Sequence, residues 1–198
     1  MVAWPEFGFS VGTQRKKPMS ETGLRAINDM RSEEAQGAFH ECCGSIRWAS
    51  SMTRERPFLE AAELHHSADR LWGRVRDEDR LEAFAAHPKI GDSGSVRSGL
   101  TGTEWASEEQ SAASTASEDV LRALAEGNSA YEERFGYIFI ICASGKNADE
   151  MVQELNRRIA NDPIVELREA SEQQRQIMHL RLAKMLTKLG ANDRRFKP

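Results

Sequence analysis

One apolar run limits what this chain can fold into. Residues 137–143 are rich in β-branched and aromatic side chains, a composition typical of a strand. No other segment offers a convincing partner strand, and an isolated strand cannot satisfy its own backbone hydrogen bonds. We therefore expect this run to be a buried extended or helical segment within an all-α chain.

Helix start and stop signals recur along the rest of the sequence. Gly44 is placed to end one helix, and Pro57 is placed in the first turn of another that would run to residue 75. Further starts are marked at Asp77, at Ser117, at Asn147 with Glu150, and at Asp162 before Pro163, the last with a stop at Gly190. The pattern predicts a compact, single-domain multi-helix bundle.

Length and composition define the domain and exclude several partners. The 198 residues suit one domain, with a flexible extension at 1–19, a helical domain at 20–190 and a tail at 191–198. Lys and Arg number 27 against 31 acidic residues, so nothing indicates a nucleic-acid partner. No apolar run approaches the ~20 residues of a membrane span, and no signal-peptide core opens the chain. A cytoplasmic protein without a membrane partner is expected.

Three cysteines and scattered histidines give no metal-ligand spacing, so no metal is expected.

His87 stands where a helical pattern meets a proline. Pro88 disfavours helical backbone at His87, so the helix is predicted to end there, before a glycine-rich loop at 91–102 that is a candidate lid. A helix C-terminus favours the charged imidazolium, which would make His87 a usable acid near neutral pH. The alternative is that His87 only caps the helix.

Two charged residues fall on apolar helical faces. Arg181 projects within the stripe of the last helix, which holds Ile164, Leu167, Met178, Leu182, Met185 and Leu189. A guanidinium directed toward a core needs an anionic partner or substrate, although its stem can also pack while its head reaches solvent.

Glu109 shares a face with Trp105 and is a candidate acid or hydrogen-bond acceptor. An interhelical ion pair, or a solvated cluster with Glu108, would explain it equally.

A glycine-containing turn follows the apolar run. Ala143, Ser144 and Gly145 precede Lys146 and the Asn147 cap, so backbone amides there could hold a carbonyl or oxyanion. The spacing is not that of a phosphate-binding P-loop, and most such turns only start a helix.

Several fragments, in order over about residues 20–190, resemble the 2-oxo-4-hydroxy-4-carboxy-5-ureidoimidazoline (OHCU) decarboxylase family. The fragments are 39–45, 56–58, 81–92, Glu109 with Gln110, Asn128 with Tyr131, 135–146, Arg158 with Asn161, Glu166, and 180–182. Together they are far more specific than any one alone.

The resemblance implies a compact all-α homodimer that uses no cofactor or metal and converts a ureidoimidazoline to (S)-allantoin and CO2 in urate degradation. By the same likeness His87 is the catalytic acid, Glu109 holds the substrate hydroxyl or assists proton transfer, and Arg181 binds polar groups of the substrate. The implied pocket lining is Pro88, Ala106, Ser107, Glu108, Gln110, Ile141, Cys142, Ala143, Ser144 and Gly145. Ala106 occupies the position where the family usually has serine, so a backbone contact or Ser107 would have to replace that contact.

The residues also allow two other functions. The same His, Glu and Arg could serve a cofactor-free hydrolase or lyase acting on a related ureide. Alternatively, the chain could be a non-catalytic helical module that binds a partner protein. The charged side chains predicted on apolar faces count against such a module.

Overall fold

The structure is a computed structural model that describes residues 19–89 and 117–195. Its helices are α1 (Met19–Asp29), α2 (Ser32–Cys43), α3 (Ile46–Glu55), α4 (Ala61–Trp72), α5 (Asp77–Ala85), α6 (Glu118–Phe135), α7 (Ala148–Arg158) and α8 (Pro163–Arg195). No strand occurs in these two ranges. The all-α prediction is confirmed.

Most of the predicted helix ends are where local chemistry placed them. The Ser117 side chain accepts a hydrogen bond from the backbone N–H of Val120 and caps α6. Asn147 and Glu150 form a reciprocal capping box at α7, with distances of 2.9 and 2.7 Å. Gly44 ends α2 with a left-handed φ of 84°. These signals lie within a few residues of each other, so sequence alone could identify them.

Two predicted helices have the wrong boundaries, and one residue assigned to the extension is helical. Pro57 does not begin a helix, because α4 starts only at Ala61 and ends at Trp72. The last helix continues past Gly190 to Arg195. Met19, assigned to the extension, is the first residue of α1. Residues 1–18, the loop at 91–102 and the tail beyond Arg195 lie outside the described residues.

The long helix α8 is the element against which much of the bundle packs. α1 runs along its C-terminal half, and α2 packs against its middle. The approach of α1 is close: a Cβ added at Gly23 would lie 1.8 Å from the Leu186 carbonyl oxygen. The main core therefore forms between α8 and helices α1 to α5, and a smaller apolar cluster lies under α6 and α7.

The apolar run is extended and joins the two clusters. Ile140 and Cys142 belong to the main core, whereas Phe139, Ile141 and Ala143 belong to the cluster under α6 and α7. This alternation is the period-two pattern of extended backbone. Both faces of the run are thus buried without a sheet, and the extended form of the prediction is confirmed.

Within the described helices, none is long and apolar enough to cross a membrane.

Candidate active site

His87 is positioned by two helix ends that meet. α5 ends at Ala85, and the Ala83–Ala86 turn lies against the left-handed turn at Gly44. A Cβ at Gly44 would lie 2.6 Å from the Cβ of Ala86, so only glycine allows this contact. The close approach places His87 beside the C-terminus of α2.

Arg181 reaches the same place from α8. It is buried, and its guanidinium Nη2 lies 3.3 Å from Nδ1 of His87. Its Nη1 is 3.5 Å from the carbonyl oxygen of Glu41, in the last turn of α2, where the helix carries partial negative charge. The prediction that Arg181 points inward is confirmed. Ile164, the first member of the predicted stripe, is exposed.

The charge state of His87 differs from the prediction made from its helix end. Burial of the ring, followed by the positive charge of Arg181, lowers the pKa of His87 to about 3, and the Gln174 side chain opposes this only in part. The predicted rise in the pKa of His87 rested on the partial negative charge of the helix C-terminus. That effect is smaller than the cost of burying a charged imidazolium beside a guanidinium. His87 is therefore neutral in the free protein at neutral pH.

A neutral His87 predicts an excess loss of stability in acid. The unfolded chain takes up a proton near pH ~6.5, but the folded chain does so only near the depressed pKa, so folding loses free energy as the pH falls below ~6.5. Between pH 7 and 5, urea denaturation should show wild type losing roughly 1–2 kcal/mol more than His87→Gln. Parallel curves, or a larger loss for the variant, would contradict a neutral buried histidine.

Gln174 completes this cluster, and the sequence did not single it out. It is fully buried, and its Nε2 donates to the carbonyl oxygen of Cys43 at 3.0 Å. It lies seven residues before Arg181, so the two side chains share one face of α8, two turns apart. A neutral amide within an apolar helical stripe is not by itself a sign of a site. The seven-residue spacing from Arg181, which puts both side chains on one helical face, was the sequence feature that could have identified it.

The predicted pocket segment is fixed to α8 by the neighbouring glutamine. The backbone N–H of Cys142 donates to Oε1 of Gln173 at 2.9 Å, and Nζ of Lys146 donates to the carbonyl oxygen of Cys142 at 2.9 Å. Ile141, Cys142 and Ala143 are buried, whereas Ser144 and Gly145 are exposed in the following turn. Gly145 has a φ of 79°, the conformation expected of glycine in such a turn.

A buried ion pair holds the same segment from its other side. Arg158 and Glu166 are both fully buried, with Nε and Nη2 of Arg158 at 2.9 and 2.5 Å from Oε1 of Glu166. Nη1 of Arg158 donates to the carbonyl oxygen of Ile140 at 2.7 Å. Tyr131 also donates to Glu166, and Asn161 donates to its second oxygen at 2.7 Å. Side chains thus supply the partners that a neighbouring strand would have supplied.

The remaining predicted site residues fall into two groups. Pro88 follows His87 directly and is partly buried. Glu109 lies outside the described residues, as do Ala106, Ser107, Glu108 and Gln110, and their roles stay predictions. Within the ranges 19–89 and 117–195, no group of three or more His, Cys, Asp or Glu side chains could hold a metal ion.

The arrangement has a definite chemical capacity. A buried guanidinium beside a neutral imidazole can bind an anionic or polar group and exchange a proton with it, in a region of low dielectric. The model of one protein family, OHCU decarboxylase, matches residues 28–183, which include both side chains. The chain belongs to the OHCU decarboxylase family.

Similar proteins extend this assignment. The uric acid degradation bifunctional protein TTL of Arabidopsis thaliana is 39% identical over 160 residues, covering 80% of this chain but 49% of that protein. The 2-oxo-4-hydroxy-4-carboxy-5-ureidoimidazoline decarboxylase of Haloferax volcanii is 26% identical, with coverage of 83% of this chain and 96% of that one. A crystal structure of OHCU decarboxylase in the presence of (S)-allantoin superposes with a TM-score of 0.67 at 38% identity. The match covers 80% of this chain and 99% of the chain in that structure. Among these relatives, the chain therefore spans about half of the bifunctional protein and nearly all of the single-function ones.

Proposed function

We propose that this chain decarboxylates 2-oxo-4-hydroxy-4-carboxy-5-ureidoimidazoline to (S)-allantoin and CO2 in urate degradation. The observation that carries the proposal is the pair of buried Arg181 and partly buried His87, 3.3 Å apart, within the residues that match the family. The pair supplies an anion-binding group and a proton-exchanging group, which are the two functions the reaction demands.

The reaction itself explains why so few groups suffice. The bond between the ring carbon and the carboxylate breaks, CO2 leaves, and the electron pair moves into the unsaturated ring, so the substrate is its own electron acceptor. One proton must then be added to carbon on one face. The protein orients the substrate, stabilises the developing charge and delivers that proton.

The charge of the substrate would change the state of His87. In the free protein the Arg181 guanidinium is one cause of the low pKa of His87, after burial of the ring. A substrate carboxylate bound at Arg181 would offset this positive charge and raise the pKa of His87. In this proposal His87 becomes a proton donor only when substrate is bound, and product handedness follows from the face that His87 approaches.

The other predicted site residues have supporting roles in the proposal. Pro88 and the segment 141–145 would form one wall of the pocket, a position supported by the attachment of Cys142 to α8. Glu109 would hold the substrate hydroxyl or assist proton transfer. Ala106, Ser107, Glu108 and Gln110 would line the opposite side.

A direct assay tests the activity. Urate is converted in situ by the two preceding activities, and circular dichroism follows the appearance of optically active allantoin with and without this protein. We expect rapid formation of the (S) product, well above spontaneous conversion. Folded protein that gives no acceleration would contradict the proposal and favour a related ureide as substrate or a binding module, and a ureide panel would separate these. Racemic product, after subtraction of the spontaneous reaction, would contradict the stereospecific step.

Three further expectations accompany this function. We propose that residues 20–190 form the catalytic domain, which is supported by the family match at 28–183. We also propose a homodimer, supported by adjacent exposed apolar side chains at Ile164 and Val165, and a cytoplasmic location. Light scattering after size-exclusion chromatography, and cell fractionation, test the last two.

A further inference from the structure

The two nitrogens of His87 lie in different surroundings, which determines where its proton resides. Nδ1 lies 3.3 Å from Nη2 of Arg181. A guanidinium can only donate, so Nδ1 must be the acceptor and must carry no proton. Because the ring is neutral, its single proton is then on Nε2.

The orientation of the Gln174 amide is equally determined. Its nitrogen is 3.0 Å from the Cys43 carbonyl oxygen, which can only accept a hydrogen bond. The NH2 end of the amide must therefore face Cys43, and the assignment of the amide nitrogen and oxygen is not ambiguous. Oε1 of Gln174 is left as an acceptor at the other end.

One buried polar atom of each of these two side chains remains without a partner, and the two atoms are complementary. Within the described residues, Nε2 of His87 and Oε1 of Gln174 are buried without a hydrogen-bond partner. One is a donor and the other an acceptor, and the Gln174 side chain stabilises the protonated form of the ring. Buried polar groups are nearly always paired, and a hydrogen bond from Nε2 of His87 to Oε1 of Gln174 would satisfy both atoms.

We propose that Gln174 is a positioning residue, which accepts a hydrogen bond from Nε2 of His87 and so fixes the plane of the imidazole whose tautomer Arg181 sets. Gln174 is held to the C-terminus of α2 through Cys43, and Arg181, on the same face of α8, lies beside Nδ1 of the ring. The catalytic consequence of this positioning role rests on the proposed decarboxylase function. The state of the His87 ring can be measured without any substrate.

The tautomer gives a direct test. Histidine ring nitrogens are labelled with 15N, the His87 signals are assigned by their loss in His87→Gln, and the protonated nitrogen is identified in the free protein. Wild type should show one tautomer with the proton on Nε2. In Gln174→Met, which fills the same volume without an acceptor, Arg181 still keeps Nδ1 unprotonated, so the tautomer should stay the same while the Nε2–H signal shifts and exchanges faster with solvent. A wild-type proton on Nδ1, or an Nε2–H signal that is unchanged in the variant, would overturn the proposal.

The control is Gln176→Met, the same substitution on the same helix. Gln176 is partly exposed and bonds only Glu172, at 3.2 Å, among the described contacts, so the Nε2–H signal of His87 should not change. If Gln174→Met fails to fold, Gln174→Glu, which keeps an acceptor for Nε2, should retain the wild-type Nε2–H signal, and its loss would overturn the proposal.

Kinetics distinguish positioning from general structural damage. Gln174→Met should lower kcat roughly 10- to 100-fold with KM within about twofold, since a misplaced catalytic group costs rate more than binding. Gln176→Met should keep both values. A large rise in KM with unchanged kcat would contradict the positioning role. Wild type that shows the expected tautomer but no decarboxylation would refute the proposed function while leaving the tautomer assignment intact.

Discussion

Replacing His87 by glutamine is expected to lower kcat for allantoin formation by roughly 10²–10⁴-fold, the usual contribution of a positioned acid or base. Glutamine keeps a polar group beside Arg181 but cannot exchange a proton at neutral pH. Circular dichroism of the product gives the rate, and the thermal unfolding of the variant shows whether the fold is preserved.

The matched control for this prediction is His66→Gln. His66 is an exposed histidine on α4, outside the site, so its replacement should leave kcat and KM unchanged. A His87→Gln enzyme with more than a tenth of wild-type kcat would contradict the assignment of His87 as the proton donor. Equal losses in the two variants would point to a general effect of histidine removal.

Replacing Arg158 by methionine is expected to cost about 3–5 kcal/mol of unfolding free energy. The substitution leaves the carboxylate of Glu166 fully buried without its charged partner, which is the costly way to disrupt such a pair. It also removes the donor to the Ile140 carbonyl oxygen, so the extended segment loses one of its attachments. Urea denaturation measures the loss.

The neighbouring Arg157 provides the control. It is exposed and pairs with Glu154 and Glu169, so Arg157→Met should cost no more than about 1 kcal/mol. Adding Glu166→Leu to Arg158→Met should recover part of the loss, because no unpaired charge then remains buried. If the two arginine variants are equally stable, the buried pair is not what holds this region together.

Local chemistry accounts for what the sequence could predict. The caps at Ser117 and Asn147 and the left-handed turn at Gly44 depend on residues close in the chain, and each was placed correctly. Arg181 was found because a guanidinium in an apolar stripe is conspicuous. The wrong helix start at Pro57 also came from local sequence alone, since proline suits a helix start and a loop equally well.

Long-range contacts account for the rest. Arg181 is 94 residues from His87, so the charge that lowers the pKa of His87 could not be included in an argument from its own helix end. Gln174 is 131 residues from Cys43, and the role of its amide depends on that contact. The side chains that satisfy the extended run come from α7 and α8, which is why the absence of a partner strand left its conformation open. Glu109 stays a prediction.

One helix is attached both to the extended segment and to the cluster around His87. Gln173 on α8 attaches to the extended segment, and Gln174 and Arg181 on the same helix contact α2 and His87. These attachments span about two helical turns, ~12 Å, over which a helix is stiff. When α8 shifts as a rigid body, the segment and the imidazole move together and their separation is preserved. Bending of α8 within those two turns would change this separation, and with it the width of the proposed pocket.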